Sequence, residues 1–211
     1  METTKLTLNQ ARATIYRLLS ACFYQPEEAF IEEDIFGQLE SALALHDEAW
    51  AELARKMGEA FRSTPLDELV FDYTRLFLGP FEILAHPYGS VWLEPEKKMV
   101  MGDSTMNALA CYRQADFDLD ENFRETPDHI AVELEFLYLV TFKENEAMAR
   151  GDQQAYGELA ILKNGFIKNH IGRWVTPFAE AIRQGAQTDF YRLLADLLEQ
   201  FIRSRIKDTT D

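Results

Sequence analysis

The sequence predicts an all-α protein, a single-domain helical bundle spanning residues 1–211. Three observations carry that prediction. Apolar residues recur at three- and four-residue steps through most of the chain, Thr-Pro pairs stand ahead of two long apolar runs, and no stretch alternates as a strand would. A chain of 211 residues with 47% hydrophobic and 12% aromatic content suits one domain with a substantial core.

Leu8, Ala11, Ile15, Leu18, Leu19 and Cys22 form the stripe of a first amphipathic helix that ends near Tyr24 and Pro26. Residues 27–62 hold a short helix and a longer one, the latter with Trp50, Leu53, Met57 and Phe61 on one side. Thr64-Pro65 restarts the chain, with Thr64 as N-cap, Pro65 at the first helical position, and Asp67 and Glu68 in the positive first turn. Leu66, Leu69, Val70, Tyr73, Leu76 and Phe77 are its buried stripe, and Gly79-Pro80 ends it. Residues 78–103 break the pattern: Gly79, Pro80, Pro87, Gly89, Pro95 and Gly102 leave a long irregular loop that still carries Phe81, Tyr88, Val91 and Trp92. Loops of that length inside a compact domain are commonly functional. A helix from about Ser104 to Ala115, capped by Asp103 or Ser104, leads into an acidic connector, 116–125, where only Arg124 opposes the charge. Thr126-Pro127 then launches a helix to about Arg150. Three helical stretches follow, the last starting at Thr188-Asp189 and carrying Leu193, Leu194, Leu197, Leu198 and Phe201.

Charge narrows the function. Lys and Arg total 21 against 36 Asp and Glu, a net charge of −15, which repels phosphate backbones and anionic membranes and favours a cationic partner. Cys22 and Cys111 belong to no CxxC pattern and read as buried reduced thiols among apolar neighbours. Lys5, Arg12 and Arg17 interrupt any secretory h-region, and the densest apolar run, Phe136 to Val140, is too short to cross a bilayer, so a cytoplasmic protein is expected. The chain has no GxGxxG, no phosphate loop, no HExxH and no GxSxG. His46, His86, His129 and His170 share no ligand spacing. Neither catalysis nor a resident metal or cofactor is expected.

Two segments stand out. One runs from Asp72 through Tyr73, Leu76, Phe77 and Pro80 to Pro87, Tyr88, Ser90, Val91 and Trp92; the other runs from Glu125 through Pro127, Asp128 and His129 to Glu133, Leu134 and Glu135. Together they resemble the TorD/DmsD family of redox enzyme maturation chaperones. Members carry a Tyr-x-x-Leu-Phe-x-x-Pro helix end, a Pro-x-x-Ser-Val loop and a later helix opening with Pro-Asp-His. The stretch His170-Ile171-Gly172-Arg173-Trp174, with Phe178, Phe190 and Tyr191, is also similar.

The resemblance implies a TorD-like helical fold, found as monomers or swapped homodimers. It implies a non-enzymatic role, binding the twin-arginine signal peptide of a molybdopterin oxidoreductase precursor while its cofactor is inserted. It places peptide binding at Tyr73, Leu76, Phe77, Pro80, Pro87, Tyr88, Ser90, Trp92, Asp128, His129 and Glu133. The residues themselves fit a basic-then-apolar ligand, since carboxylates pair with guanidinium forks and the aromatic loop offers apolar surface.

Other readings stand beside these. Asp128 serves equally as an anion in a well-made helix start, and His129 as a structural histidine oriented by Glu133 one turn on. Tyr73, Leu76 and Phe77 have the spacing of a core stripe, whereas Tyr88 and Trp92 sit on the irregular segment. The acidic connector also reads as a solvated surface. Alternative functions are a general adaptor for an amphipathic partner helix and a nucleotide hydrolase.

Overall fold

The structure is a computed structural model that describes residues 2–79, 82–96, 101–118 and 125–208. Pro80 and Phe81, named above, and residues 119–124 of the acidic connector, Arg124 among them, lie outside the described residues. Eleven α-helices and two π-helical turns account for most of what is described, with no strand among these residues. In order they are α1 (Glu2–Ala21), α2 (Ala29–Glu32), α3 (Ile35–Ala44), α4 (Glu48–Ser63) and α5 (Leu66–Tyr73), which runs into a π turn at Thr74–Leu78. Next come α6 (Gly89–Leu93), α7 (Asp103–Gln114), α8 (Ile130–Arg150) and α9 (Gln153–Phe166), then a second π turn at Ile167–Ile171, α10 (Gly172–Gly185) and α11 (Asp189–Asp208).

The centre of the bundle is α8. Ile130, Ala131, Val132, Leu134, Phe136, Leu137 and Val140 are all buried, so its first three turns are apolar on nearly every side, the pattern of a helix enclosed by others. It lies between α1 and α9, while α11 packs against α4 and α10. Phe77 knits these layers together. Its ring centroid lies 6.0 Å from Phe23 in the turn after α1, 6.1 Å from Phe178 of α10 and 5.7 Å from Tyr191 of α11. Each such fully buried ring stabilises the fold by about 1.5–3 kcal/mol.

Several expected boundaries move. Residues 27–62 form three helices, because Asp34 adopts a left-handed backbone (φ 50°) that separates α2 from α3, and Asp47 caps α4 by accepting from Ala49 N–H at 2.8 Å. No glycine or proline marks the break at Asp34. The Thr64 hydroxyl donates to the Ala60 carbonyl at 2.8 Å, so it closes α4 rather than opening α5, which begins at Leu66. Helix α7 is capped from a distance: Ser104 N–H donates to Glu94 Oε1 at 2.7 Å, which replaces the local cap expected from Asp103 or Ser104. The irregular stretch 78–103 contains the short helix α6. Thr126-Pro127 forms a turn, closed by His129 N–H donating to the Thr126 carbonyl at 3.0 Å, and α8 starts only at Ile130. Its N-cap is His129, whose Nδ1 accepts from Ala131 N–H at 3.2 Å. Cys22 is buried, and burial pushes its thiol up to about 12, whereas Cys111 is only half-buried.

One buried carboxylate ties the first half of the chain to the last helix. Asp72 of α5 accepts from Thr188 N–H at 2.8 Å, Gln187 N–H at 3.0 Å and the Thr188 hydroxyl at 2.9 Å, and Arg75 Nη1 lies 3.2 Å away. It caps α11 across 116 residues of sequence. Asp72→Ala is expected to lower unfolding free energy by about 3 kcal/mol, because it strands several donors at once. Urea denaturation reads this, and a change under 1 kcal/mol would assign the cap no weight.

A second prediction concerns His129. Burial holds its imidazole down to about 4, against the pull of Glu125 and Asp128, so the fold favours the neutral ring. Its contribution is complete above the unfolded value near 6.5 and is lost as pH falls toward 4. His129→Asn keeps a cap without the titration. The stability difference between wild type and this variant should therefore shift in the variant's favour by up to roughly 3 kcal/mol between pH 7 and pH 4. Urea titrations across that range test it, and a difference that stays constant would mean the ring protonates freely.

Candidate functional site

The two signature segments meet. Ile130 N–H donates to the Pro87 carbonyl and Gly89 N–H to the Asp128 carbonyl, both at 2.8 Å, with Tyr88 opposite His129 in an isolated antiparallel bridge. The side chain of Asp128, fully buried, completes the clamp: Oδ2 accepts from Ser90 N–H at 2.8 Å in the first turn of α6. Asp128 thus caps α6 rather than sitting in the first turn of α8. Gly89 is favoured by close packing, since a Cβ there would stand 3.0 Å from Glu133 Oε1 and 3.1 Å from Trp174 Nε1 and press on both. Gly79, where the π turn ends at φ 55°, is required by conformation as well, because a Cβ would lie 2.5 Å from the Glu82 carbonyl oxygen.

Behind this clamp sits Glu133, with no solvent exposure. It is 2.7 Å from His170 Nε2 and accepts from Trp174 Nε1–H at 3.2 Å. Its partner is therefore His170 and not His129, as its position one turn along α8 had suggested. The π turn Ile167–Ile171 delivers His170, whose ring stacks on Phe166 at 4.8 Å. Burial pushes the Glu133 carboxyl up. Burial also opposes charge on His170, but the adjoining carboxylate outweighs it and raises the imidazole above its usual value. The pair braces α8 against α10.

On the outer side, aromatic rings and carboxylates alternate around His129. Tyr24 stacks on its ring at 6.3 Å with planes 15° apart, and Tyr88 meets it edge-on at 5.5 Å. Tyr24 O–H donates to Glu135 Oε1 at 2.8 Å, and Tyr88 O–H donates to Glu125 Oε2 at 2.9 Å. Burial and these carboxylates raise the phenols of Tyr24 and Tyr88, and burial with Glu125 pushes the nearby Tyr73 up to about 12. All three remain protonated donors at neutral pH. Neither Glu125 nor Glu135 forms an ion pair among the described residues, and His129 is held neutral, so it does not cancel their negative charge. Half-buried carboxylates beside aromatic faces are chemically suited to a guanidinium group, which can donate paired hydrogen bonds to the one and stack on the other.

The eleven site residues read from the sequence therefore separate by position. Leu76 and Phe77 lie in the core, and Tyr73 is nearly buried at the edge of the phenol cluster. Pro87, Ser90, Asp128, His129 and Glu133 are buried and form the clamp and its backing. Tyr88 and Trp92 are half-exposed, the latter held by Nε1–H donating to the His86 carbonyl at 2.8 Å. Pro80 lies outside the described residues. In the acidic connector, Asp116 faces Lys143 at 3.8 Å as a surface pair. Sequence reasoning missed Tyr24 and the roles of Glu135, His170 and Trp174. Tyr24 and Glu135 approach only because α1 packs along α8, and no local pattern signals that. Among the described residues no cluster of three or more metal-ligating side chains occurs, and no helix is long and apolar enough to cross a membrane.

Comparison with known proteins agrees with this architecture. The family model described as nitrate reductase delta subunit matches residues 40–180, which contain both signature segments. A Vibrio parahaemolyticus protein named Chaperone protein TorD is 34% identical over 139 residues, covering 64% of this chain and 61% of that protein. A Shewanella pealeana protein of the same name is 26% identical and covers 93% of this chain and 89% of its own. A crystal structure of an Archaeoglobus fulgidus protein assigned to redox enzyme maturation superposes with a TM-score of 0.50 at 18% identity, covering 94% of each chain, which establishes the shared fold. The chain belongs to the nitrate reductase delta subunit family, the TorD family of redox enzyme maturation chaperones.

Proposed function

We propose that this chaperone acts in the cytoplasm, where it binds the twin-arginine signal peptide of a molybdopterin oxidoreductase precursor and holds it back from export during maturation. The observation that carries the reading is the pair Glu125 and Glu135, unpaired with any cation among the described residues and flanked by Tyr88, Tyr24 and neutral His129. Two adjacent arginines offer two forked donors, and two carboxylates on either side of one aromatic ring offer two acceptors. The apolar part of the leader then lies along the irregular segment, where Trp92 is half-exposed and Leu78 and Leu84 are 49% and 39% exposed.

In this reading the motif residues divide the work. Asp128, Ser90, Pro87, His129 and Glu133 shape the site from behind, Leu76 and Phe77 anchor the helix that leads into it, Tyr73 lies at its buried edge, and Tyr88 and Trp92 present surface to the peptide. Pro80 keeps its place by its position in the motif alone. The chaperone names of the relatives support a binding role over a catalytic one.

Isothermal titration of the full chain with a twin-arginine peptide tests this. Glu125→Gln and Glu135→Gln should each weaken binding about tenfold, the scale of one hydrogen bond to a charged group. Replacing both peptide arginines with lysine should cost as much, because the fork is lost, and raising salt from low to molar concentration should weaken what remains. Undiminished affinity in both glutamine variants, with folding intact, would remove the carboxylate pair from the site. Indifference to the arginines would instead favour an adaptor for amphipathic helices.

A further inference from the structure

A groove of about 350 Å³ opens between α2, the end of α4 and the start of α5. Its floor is apolar. Phe61 and Leu69 lie buried there, Phe30 backs the floor by stacking on Phe61 at 5.6 Å, and Leu66 stands half-buried at the edge. Ile31 lines the α2 side and is 38% exposed. Glu28 and Glu32, three residues before it and one after, flank it on the same side. The groove shares no lining residue with the site around His129 and is independent of the peptide reading.

Charge and apolar surface are set against each other here. Residues 27–34 hold five carboxylates and no basic residue, and all five are exposed. Asp67 and Glu68 stand exposed between Leu66 and Leu69 on the opposite side. Arg62 is the one basic residue lining the groove, and it lies 4.0 Å from Asp34. Helix polarity accounts for Asp67 and Glu68 in the first turn of α5. It does not account for an open apolar floor beneath a ring of carboxylates, since apolar surface left in water contributes nothing to the fold.

A surface that fits this groove is apolar at its centre and basic at its edges. A second copy of this chain would bring its own net charge of −15 against the carboxylates, so the occupant is a different chain. The volume sits at the low end of the 300–1,000 Å³ typical of ligand sites, which suits the side chains along one face of a single segment. A helix presents such side chains three and four residues apart, with charged residues alongside. We propose that the groove docks a basic amphipathic helix of a partner protein. Its apolar side chains cover Phe61, Leu66 and Leu69, and its lysines or arginines face Glu28 and Glu32.

The probe is a labelled synthetic leucine–lysine peptide with its leucines at helical spacing, titrated into the full chain by fluorescence anisotropy. A scrambled peptide of the same composition has the charge without the apolar face, and should bind about tenfold more weakly. Ile31→Lys, and Glu28→Gln combined with Glu32→Gln, should each weaken binding of the helical peptide about tenfold. Glu158→Gln, an exposed carboxylate on α9, should leave it unchanged. All these positions are exposed, so circular dichroism should not change. Should a variant fail to fold, hydrogen exchange of the wild type still decides the matter, because the peptide should slow exchange in residues 28–32 and 61–69. Equal affinity for the scrambled peptide, undiminished binding in both groove variants, an equal loss in Glu158→Gln, or protection confined to other segments overturns the proposal.

Discussion

A carboxylate removed from water must find donors, and in this protein that requirement decides which distant segments meet. Asp72, Asp128, Glu133 and Glu144 are each at most 1% exposed. Leaving such a group unpaired costs several kcal/mol, a large share of the stability of an ordinary domain. Each therefore selects its partner: Asp72 the start of α11, Asp128 the start of α6, Glu133 the π turn and α10, and Glu144 both α1 and α9. The aromatic core supplies most of the driving force, but apolar packing is non-directional and tolerates slippage. The buried carboxylates remove that freedom, because a helix displaced by one residue would strand a charge.

The same constraint shapes the functional surface. With Asp128 committed to Ser90 and Glu133 committed to His170 and Trp174, neither is free to take a ligand's charge. The carboxylates that remain at the rim are Glu125, just before the clamp, and Glu135, further along α8. Among the described residues both are held by neutral hydroxyls, Glu125 by Tyr88 and Glu135 by Tyr24 and Ser20, which a competing guanidinium outbids because its hydrogen bonds to a carboxylate are charge-assisted. Neutral His129 between the two tyrosines matters here. A charged imidazole in that position would repel the cation that the carboxylates attract.

Periodicity was enough to read α1, α5, α8 and α11, because burial of one face leaves a local, repeating trace in the sequence. The Pro-Asp-His segment and the proline-broken stretch were also legible as special, since proline and glycine report backbone conformation directly. What stayed hidden was the identity of long-range partners. Glu133 sits one turn from His129, which made them look paired, yet its carboxyl turns across the bundle to a histidine delivered by a π turn, and a π turn leaves no reliable local signal. Likewise the Thr64 hydroxyl bonds backward to Ala60 rather than forward, a choice between two local options that sequence alone leaves balanced.

Helix α8 carries two of these buried carboxylates on one rigid rod. Glu133 and Glu144 are eleven residues apart, about 16 Å along the axis at the usual helical rise. Both are buried, where salt screens little, so their separation and their own partners, His170 for Glu133 and Lys163 for Glu144, keep the two centres independent. Lys163 and Asn9 meet Glu144, while His170 and Trp174 meet Glu133, so one helix is tied at two points of its length to α1, α9, the second π turn and α10. A slide of α8 along its axis would strand both carboxylates at once, which fixes its register more firmly than apolar packing could.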